Sequence, residues 1–442
     1  MDENGPEGLA RAYVTLGLRL GRVVPGLVDA HVGDPRIAHR VDDEPVPDPA
    51  ALRRDAVALR RRLAHEPLPD PARTGYLDAQ LAACEVVAAG AAGDEVDVRT
   101  EIRDCLGVEV GPGDPDVYRA ALGRLADVLD TTVAGLPDAL AAFRARDRAA
   151  AEHLRPGMAA MTTALRERTR TAIGLPADEG VELEIVTGVP WAGFARRAGP
   201  GRSVVQVSRE AGHRRAHLPL LAAHEAYPGH HTEMARTERE YAGPAAPERT
   251  LFLARTPQSL VAEGAAECGL AALVGTGWGA WAAGHLAAAG VPTTAGEGAL
   301  GEAVEDAMLP LGAVRQDAAL LLHGGAPDGE ERARAHLRRW LLIDDERAGR
   351  MLGFLGHPRW RIHTTTYVEG TALVRRWLAA RPEGEPVGPR FARLLDEPWT
   401  PDRLRHAASM SAAASDTQSD TLSGRAEGSP GLVGDRSASR NV

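Results

Sequence analysis

The sequence predicts a mostly α-helical protein that carries one small β-sheet. Apolar residues recur at helical spacing from about residue 8 to 170, between short stretches rich in proline and glycine. Two short segments, 181–186 and 203–208, instead have the alternating or β-branched pattern of strands. Helical patterning returns from residue 218 to about 380. These observations together favour a large helical fold with a small sheet.

The N-terminal region, residues 1–175, is predicted to be a series of amphipathic helices. Its first helices are separated by breaks at residues 45–49, 67–71 and 111–115. Residues 137–155 are predicted to form one long helix, which ends at Pro156 and Gly157.

Residues 176–409 are predicted to hold the functional region, in one continuous fold with the helices before it. They contain both predicted strands and the second group of helices. The last residues, 410–442, are poor in apolar residues and rich in serine and glycine, so we expect them to form a disordered tail.

The composition excludes several classes of protein. The 442 residues include no lysine, so no Schiff-base lysine or P-loop lysine can be present, which excludes pyridoxal-phosphate enzymes and the usual P-loop NTPases. The net charge of −10, without an arginine-rich block, argues against nucleic-acid binding. Three widely spaced cysteines, no visible signal peptide and no long apolar run favour a cytoplasmic protein that does not span a membrane.

Histidines concentrate in one segment of the chain. Five of the 15 lie between residues 213 and 231, around the sequence LLAAHEAYPGHH at 220–231. A His-Glu pair after an apolar run is typical of the zincin motif H-E-x-x-H, in which two histidines bind Zn²⁺ and the glutamate is the general base. Here proline occupies the place of the second histidine, and the next histidine is His230.

The spacing of His224 and His230 requires a break in the helix. In an unbroken helix they would lie about 9 Å apart along the axis and about 240° around it, so one ion could not reach both. Pro228 and Gly229 between them break helices, and we expect them to bring His230 beside His224. His231 is the rival second ligand. The earlier histidines at 213 and 217 are interpreted as an ordinary surface pair.

Glu263 is the predicted third ligand. It lies four residues before Glu267 on the next predicted helix, so the two carboxylates share a largely apolar face. Carboxylates on such a face need a partner. We expect Glu267 to orient a ligand histidine, and a zinc ion with three protein ligands to leave one position open.

These motifs carry a resemblance to a known family. HEAYPGHH at 224–231, followed by EGAAE at 263–267, resembles the bacterial domain-of-unknown-function family 885, which in turn resembles gluzincin metallopeptidases. The resemblance covers about residues 180–380. It implies a helical metallopeptidase-like fold with a small sheet beside the active-site cleft, and a zincin-like region at 176–409. It also implies His224, His230 and Glu263 as zinc ligands, with Glu225 as general base.

Downstream, the resemblance is weaker. The family's Asp-Thr-Gly-x-His segment is represented by residues 319–323, which keep only His323, and its Tyr-x-x-Gly segment by Tyr367 and Gly370 without the preceding Pro-Gly-Gln. In similar peptidases a tyrosine or histidine donates a hydrogen bond to the oxyanion. Tyr367 is therefore the first candidate donor, and His363 and His323 are the next candidates.

The sequence thus predicts a zinc-dependent hydrolase that cleaves an amide or peptide bond, with Zn²⁺ as cofactor and Mn²⁺ or Co²⁺ as alternatives. The substrate is a peptide or, alternatively, a small non-peptide amide. A further alternative is a helical binding protein whose metal site is structural or vestigial. Residues 203–208 are a candidate edge strand for pairing with an extended peptide substrate. Arg202 or Arg361 is a candidate for binding the terminal carboxylate of that peptide.

Overall fold

The computed structural model describes residues 5–241 and 246–411. The fold is mostly α-helical with two small β-sheets, in agreement with the predicted fold class. A short strand and a π-helical turn at Ile102–Leu106 interrupt the helices of the N-terminal half. Its elements are α1 (Pro6–Val23), β1 (Val28–His31), α2 (Pro35–Asp43), α3 (Pro49–His65), α4 (Pro71–Ala91), α5 (Val98–Glu101), α6 (Pro115–Val128), α7 (Leu136–Arg146) and α8 (Ala151–Ile173).

The second half begins with three strands and continues with helices, joined in places by 3₁₀ turns. The strands are β2 (Gly180–Val186), β3 (Gly193–Gly199), β4 (Arg202–Ser208) and, further on, β5 (Leu251–Leu253). The helices are α9 (His217–Glu225), α10 (His230–Tyr241), α11 (Pro257–Leu273), α12 (Trp278–Ala288), α13 (Ala295–Met308), α14 (Ala313–Leu322), α15 (Gly329–Leu341), α16 (Asp345–Gly356), α17 (His363–Thr365), α18 (Thr371–Ala379) and α19 (Val387–Asp396), followed by a helical segment at 401–411.

Four of the N-terminal helices begin in the same way, with an aspartate before a proline. The aspartate side chain accepts a hydrogen bond from a free backbone N–H of the first turn. Proline suits the first helical position because its missing N–H would have no partner there. The proline-rich breaks are therefore also helix starts, at Asp34, Asp48, Asp70 and Asp114.

The prediction of one long helix over 137–155 is wrong. The chain breaks between α7 and α8, and Pro156 lies inside α8. The break is held by tertiary contacts: Asp147 accepts a hydrogen bond from the Ala216 amide, and the Ala149 amide donates to the carbonyl of His213. His213 is correspondingly buried, rather than on the surface.

The three-stranded sheet has the order β2-β4-β3, with β2 parallel and β3 antiparallel to β4. Both predicted strands are present, as β2 and β4. Because β4 is the central strand, residues 203–208 have no free edge, and their predicted pairing with a peptide is wrong. The free edge beside the cavity described below belongs to β3, whose sequence GFARRAG has no strand-like alternation.

The second sheet pairs β1 with β5 and connects the two ends of the chain. One hydrophobic cluster includes side chains from α1, α3, α4, α11, α18 and α19, so residues on both sides of position 175 share a core. Within the described residues, no single helix is long and apolar enough to span a membrane; α11 and α12 meet that test only as a pair bent by 84°. The predicted tail at 410–442 lies outside the described residues, apart from its first two, which end a helix.

Candidate metal centre

A tight turn between α9 and α10 brings two histidines together. The chain folds back over the last turn of α9, where the Gly229 amide donates a hydrogen bond to the Ala223 carbonyl. A Cβ atom on Gly229 would lie 1.9 Å from the His224 carbonyl oxygen, so only glycine fits at this position. The peptide bond before Pro228 is cis. As the sequence predicts, the helix breaks here, and His230 lies beside His224.

Glu263 completes a triad with these histidines. The His224 and His230 Nε2 atoms are 3.1 Å apart, and they lie 3.2 and 3.5 Å from the Glu263 Oε2 atom. The three atoms are close enough together to hold one metal ion. The Oε2 atom is buried and, among the described residues, accepts no well-directed hydrogen bond. A bound cation would supply the partner that this oxygen lacks, so the donor set fits a metal.

The charges of the triad favour an anionic glutamate. Burial by itself would raise the pKa of Glu263, but the two histidines outweigh it and hold that pKa well below its usual range. Burial would likewise lower the pKa of His224, yet the carboxylates of Glu263 and Glu267 raise it. Each group is therefore stabilised in the charged form by its neighbours, as expected where opposite charges converge.

Glu267 lies beside the ligand histidine His224, as the sequence predicts. Its Oε1 atom is 3.2 Å from Nδ1 of His224. An acceptor at Nδ1 favours the tautomer whose Nε2 carries a lone pair, and Nε2 is the atom that faces the triad. Glu267 thus orients the imidazole so that Nε2, on losing its proton, can bind a cation.

Glycines allow α11 to approach its neighbours closely enough to present Glu263. A Cβ on Gly264 would lie 2.4 Å from the backbone of Gly370, and one on Gly370 would lie 2.3 Å from a carbonyl of α11. Gly269 is packed against the Pro228 ring in the same way. These contacts hold α11 between the α9–α10 turn and the π-helical turn at Thr366–Gly370, which carries Tyr367.

The triad lines a cavity of about 160 Å³ that also contains Glu225, His363 and Tyr367. The Glu225 side chain is buried, and burial raises its pKa. A Cβ on Gly193 would lie 3.1 Å from its Oε1 atom, so the glycine at the start of β3 leaves room for the carboxylate. A carboxyl group in this setting binds a proton more readily than an exposed one.

Tyr367 lies beside the triad, with its hydroxyl 2.9 Å from Nε2 of His363. The same Nε2 atom is 3.8 Å from a Glu263 oxygen. Burial, with added repulsion from nearby carboxylates, raises the pKa of Tyr367 well above 10. Its hydroxyl therefore keeps its proton and can donate a hydrogen bond into the cavity.

Other predicted residues do not join the cavity. His323 donates from Nε2 to the Leu355 carbonyl at 2.8 Å, at the end of α14, and it is not among the residues that line the cavity, so the structure does not favour it as an oxyanion donor. His231 is also separate from the triad, because consecutive helical residues point about 100° apart. It is buried against the sheet, with Nε2 3.0 Å from Glu179.

The two arginines predicted to bind a terminal carboxylate are not among the residues that line this cavity. Arg361 is paired with the buried Glu101 at 2.6 Å. Arg202 is exposed at the start of β4. Neither guanidinium is placed to bind a group beside the triad.

The cavity contains residues that the sequence analysis did not identify. Asp29, Glu233 and Gln258 contribute polar groups to its wall. Glu233 follows His230 by three residues on α10, so the two share a helix face, and this spacing was the sequence signal that identifies Glu233. Asp29 gave no local signal, because only the pairing of β1 with β5, more than 200 residues later, brings it here. Aromatic residues of the wall include Trp191, Phe194, Phe354 and Trp360.

Comparisons with known proteins yield little for this chain. No protein-family model matches it, and no curated protein matches it. A solved structure, that of "the putative lipoprotein from Colwellia psychrerythraea", is similar over 82% of this chain with a TM-score of 0.45 and 13% sequence identity. This chain covers 66% of the length of that protein. Nothing about function follows from a likeness at that level.

Proposed function

We propose that this protein is a zinc-dependent hydrolase that cleaves an amide or peptide bond. The observation that carries the proposal is the triangle formed by His224, His230 and Glu263. Zinc bound tetrahedrally at 2.0–2.1 Å separates its ligand atoms by about 3.3–3.4 Å. The three separations here are 3.1, 3.2 and 3.5 Å. Two histidines and a glutamate are also a donor set of catalytic zinc sites.

Two neighbouring side chains have the chemistry that such a reaction needs. Zinc bound at the triad would polarise a substrate carbonyl and ease the deprotonation of water. Glu225 shares the cavity, and burial raises its pKa, so it can take a proton from the attacking water and pass it to the leaving amine. Tyr367 keeps its proton and can donate to the oxyanion. The resemblance to family 885 supports the same roles.

The arrangement argues against a purely structural metal site. Structural zinc sites are closed by four protein ligands. Among the described residues, only His224, His230 and Glu263 form a cluster of three or more ligand groups with the closeness that a metal requires. His231 points away, and Glu267 faces the opposite nitrogen of His224. The triad also faces a cavity, which leaves space for a substrate.

The size of the cavity admits a small amide as a second candidate substrate. At about 160 Å³, it is comparable to cavities of about 150 Å³ that hold one benzene molecule. One residue-sized group fills such a space. A small non-peptide amide would therefore fit as well as the end of a peptide.

The proposal is tested first by metal analysis and then by activity. We expect stoichiometric zinc in the wild-type protein and its loss in His224→Ala. Glu225→Gln should retain zinc and lose hydrolysis, whereas the control Glu240→Gln, at an exposed position of α10, should retain both. Substrates would be a peptide library and a set of N-acyl small molecules.

A wild-type protein without zinc would overturn the metal assignment. Hydrolysis that persists in zinc-loaded Glu225→Gln would overturn the general-base assignment. Cleavage of the N-acyl molecules alone would identify the substrate as a small amide.

A further inference from the structure

The cavity has a second polar wall that the proposed hydrolysis does not use. It is formed by Asp29, Glu233 and Gln258. Asp29 lies where a bulge interrupts the pairing of β1 with β5, between Val28 and Ala30. Bulges redirect side chains. Asp29 is an exposed residue that lines the cavity. The three side chains come from elements that only the tertiary fold brings together.

Gln258 is the observation that points to a ligand. The residue is only 4% exposed, and within the described part of the chain neither its amide nitrogen nor its amide oxygen has a hydrogen-bond partner. Buried amides almost always have partners, because leaving them unpaired is costly. An unpaired amide that lines a cavity is therefore suited to a molecule bound in that cavity.

The charge of this wall determines which molecule fits. Asp29 is exposed at the cavity wall, where repulsion from the Glu263 carboxylate acts on it. Glu233 is buried, and burial raises its pKa. Arg359 and Arg249 act on these carboxylates from a distance, but neither acid forms an ion pair among the described residues. A cation in the cavity would relieve this repulsion.

The kinds of groups in this wall favour an organic cation over a second metal ion. In residues 5–241 and 246–411, the triad is the only group of three or more His, Cys, Asp or Glu side chains close enough together to hold a metal ion. A primary ammonium has three N–H donors. Asp29, Glu233 and the Gln258 carbonyl oxygen line the same cavity and offer three acceptors for such a group. Trp191, Phe194, Phe354 and Trp360 form an aromatic part of the wall, which suits an apolar group next to the cation.

We propose that Asp29, Glu233 and Gln258 bind a primary ammonium group of the substrate, so that the enzyme selects amides that carry a free amine near the scissile bond. This inference rests on the proposed hydrolase function. The amine is either the α-amino group of an aminoacyl compound or the side-chain amine of a lysine residue. Both present the same chemistry to the three acceptors.

The test is calorimetric binding to the Glu225→Gln protein, which suppresses turnover, with and without added zinc. The probes are L-phenylalanine amide, N-acetyl-L-phenylalanine amide and N-acetyl-L-lysine amide. We expect an amine-bearing probe to bind at least about tenfold more tightly than the acetylated phenylalanine probe. Tighter binding of the phenylalanine amide identifies an α-amine, and tighter binding of the lysine derivative identifies a side-chain amine.

Variants of the wall provide the matched comparison. Asp29→Asn should weaken amine binding about tenfold or more without changing the acetylated probe, whereas Asp43→Asn, at an exposed position of α2, should change neither. Gln258→Leu should weaken amine binding and raise the melting temperature, because it removes an unpaired buried amide. A merely structural glutamine would not produce that combination.

Equal binding of free and acetylated phenylalanine amide, together with no preference for the lysine probe, would overturn the inference. So would amine binding that Asp29→Asn leaves unchanged. Zinc content and hydrolysis are measured separately. A zinc enzyme that cleaves acetylated amides without a preference for amines keeps the proposed function and loses this inference. Amine binding that depends on Asp29, without any hydrolysis, keeps this inference and loses the proposed function.

Discussion

Gly229→Ala is the sharpest test of how the turn between α9 and α10 builds the metal centre. The added Cβ would lie 1.9 Å from the His224 carbonyl oxygen and 2.5 Å from that of Ala223, both backbone atoms. Non-bonded Cβ contacts shorter than 3.0 Å essentially do not occur, so the backbone must move by about 1 Å. His230 is the next residue and moves with it. Metal–ligand distances tolerate only about ±0.2 Å.

The displacement should therefore destroy the triangle of ligand atoms. Loss of an outer partner of a ligand typically costs about 10- to 100-fold in metal affinity. Displacement of a ligand itself should cost at least about 100-fold. The overpacking should also destabilise the fold by about 1–3 kcal/mol. Competition with a zinc-binding dye measures the affinity, and thermal unfolding with and without zinc measures the stability.

The matched control is Gly284→Ala on α12. Gly284 is exposed, and no atom lies within 4 Å of the Cβ that the substitution would add. It should leave zinc affinity unchanged and stabilise the helix by about 0.5–1 kcal/mol. Wild-type zinc affinity in Gly229→Ala would refute the reasoning that this glycine is required for the turn.

Three further predictions concern neighbouring residues. Glu267→Gln weakens the acceptor at Nδ1 of His224 and should lower zinc affinity about tenfold, as dye competition would show. Tyr367→Phe should lower kcat about 100-fold with zinc content unchanged, and an unchanged kcat would remove it from the oxyanion role. Glu179→Gln should destabilise the fold by about 2–4 kcal/mol at pH 7 in urea unfolding, because Glu179 accepts from His231 and pairs with Arg166. Burial would raise the pKa of Glu179, but its partners hold it at about 2, so this contribution is complete above about pH 4.5 and disappears as the pH falls towards 2. An equal loss at pH 7 and pH 2 would contradict that linkage.

The local parts of the site followed from the sequence. The His-Glu pair, the break at Pro228 and Gly229, and the shared face of Glu263 and Glu267 all depend on backbone geometry within one or two helical turns. The structure places each of them as these rules predict. The strands at 181–186 and 203–208 were predictable for the same reason, because their residue pattern is local.

Elements held by distant contacts could not be predicted in this way. The break between α7 and α8 depends on Asp147 and the segment around Ala216, nearly 70 residues apart. The position of Tyr367 depends on the contact between Gly264 and Gly370. His323 lies outside the cavity for the same reason, because the segment that packs against the end of α14 is decided by the tertiary fold and not by the local motif.

The sequence by itself therefore determined the helical class, the broken helix and a set of metal-ligating candidates. It left His230 and His231 as rival second metal ligands, since either one needs a kink in the helix to reach an ion beside His224. The tertiary structure decided for His230, because the sheet and Glu179 hold His231 on the other side of α10. It alone brought Asp29 to the cavity. The physical reason is that helix periodicity and turn chemistry act over a few residues, whereas the packing of distant elements decides which side chains share a cavity.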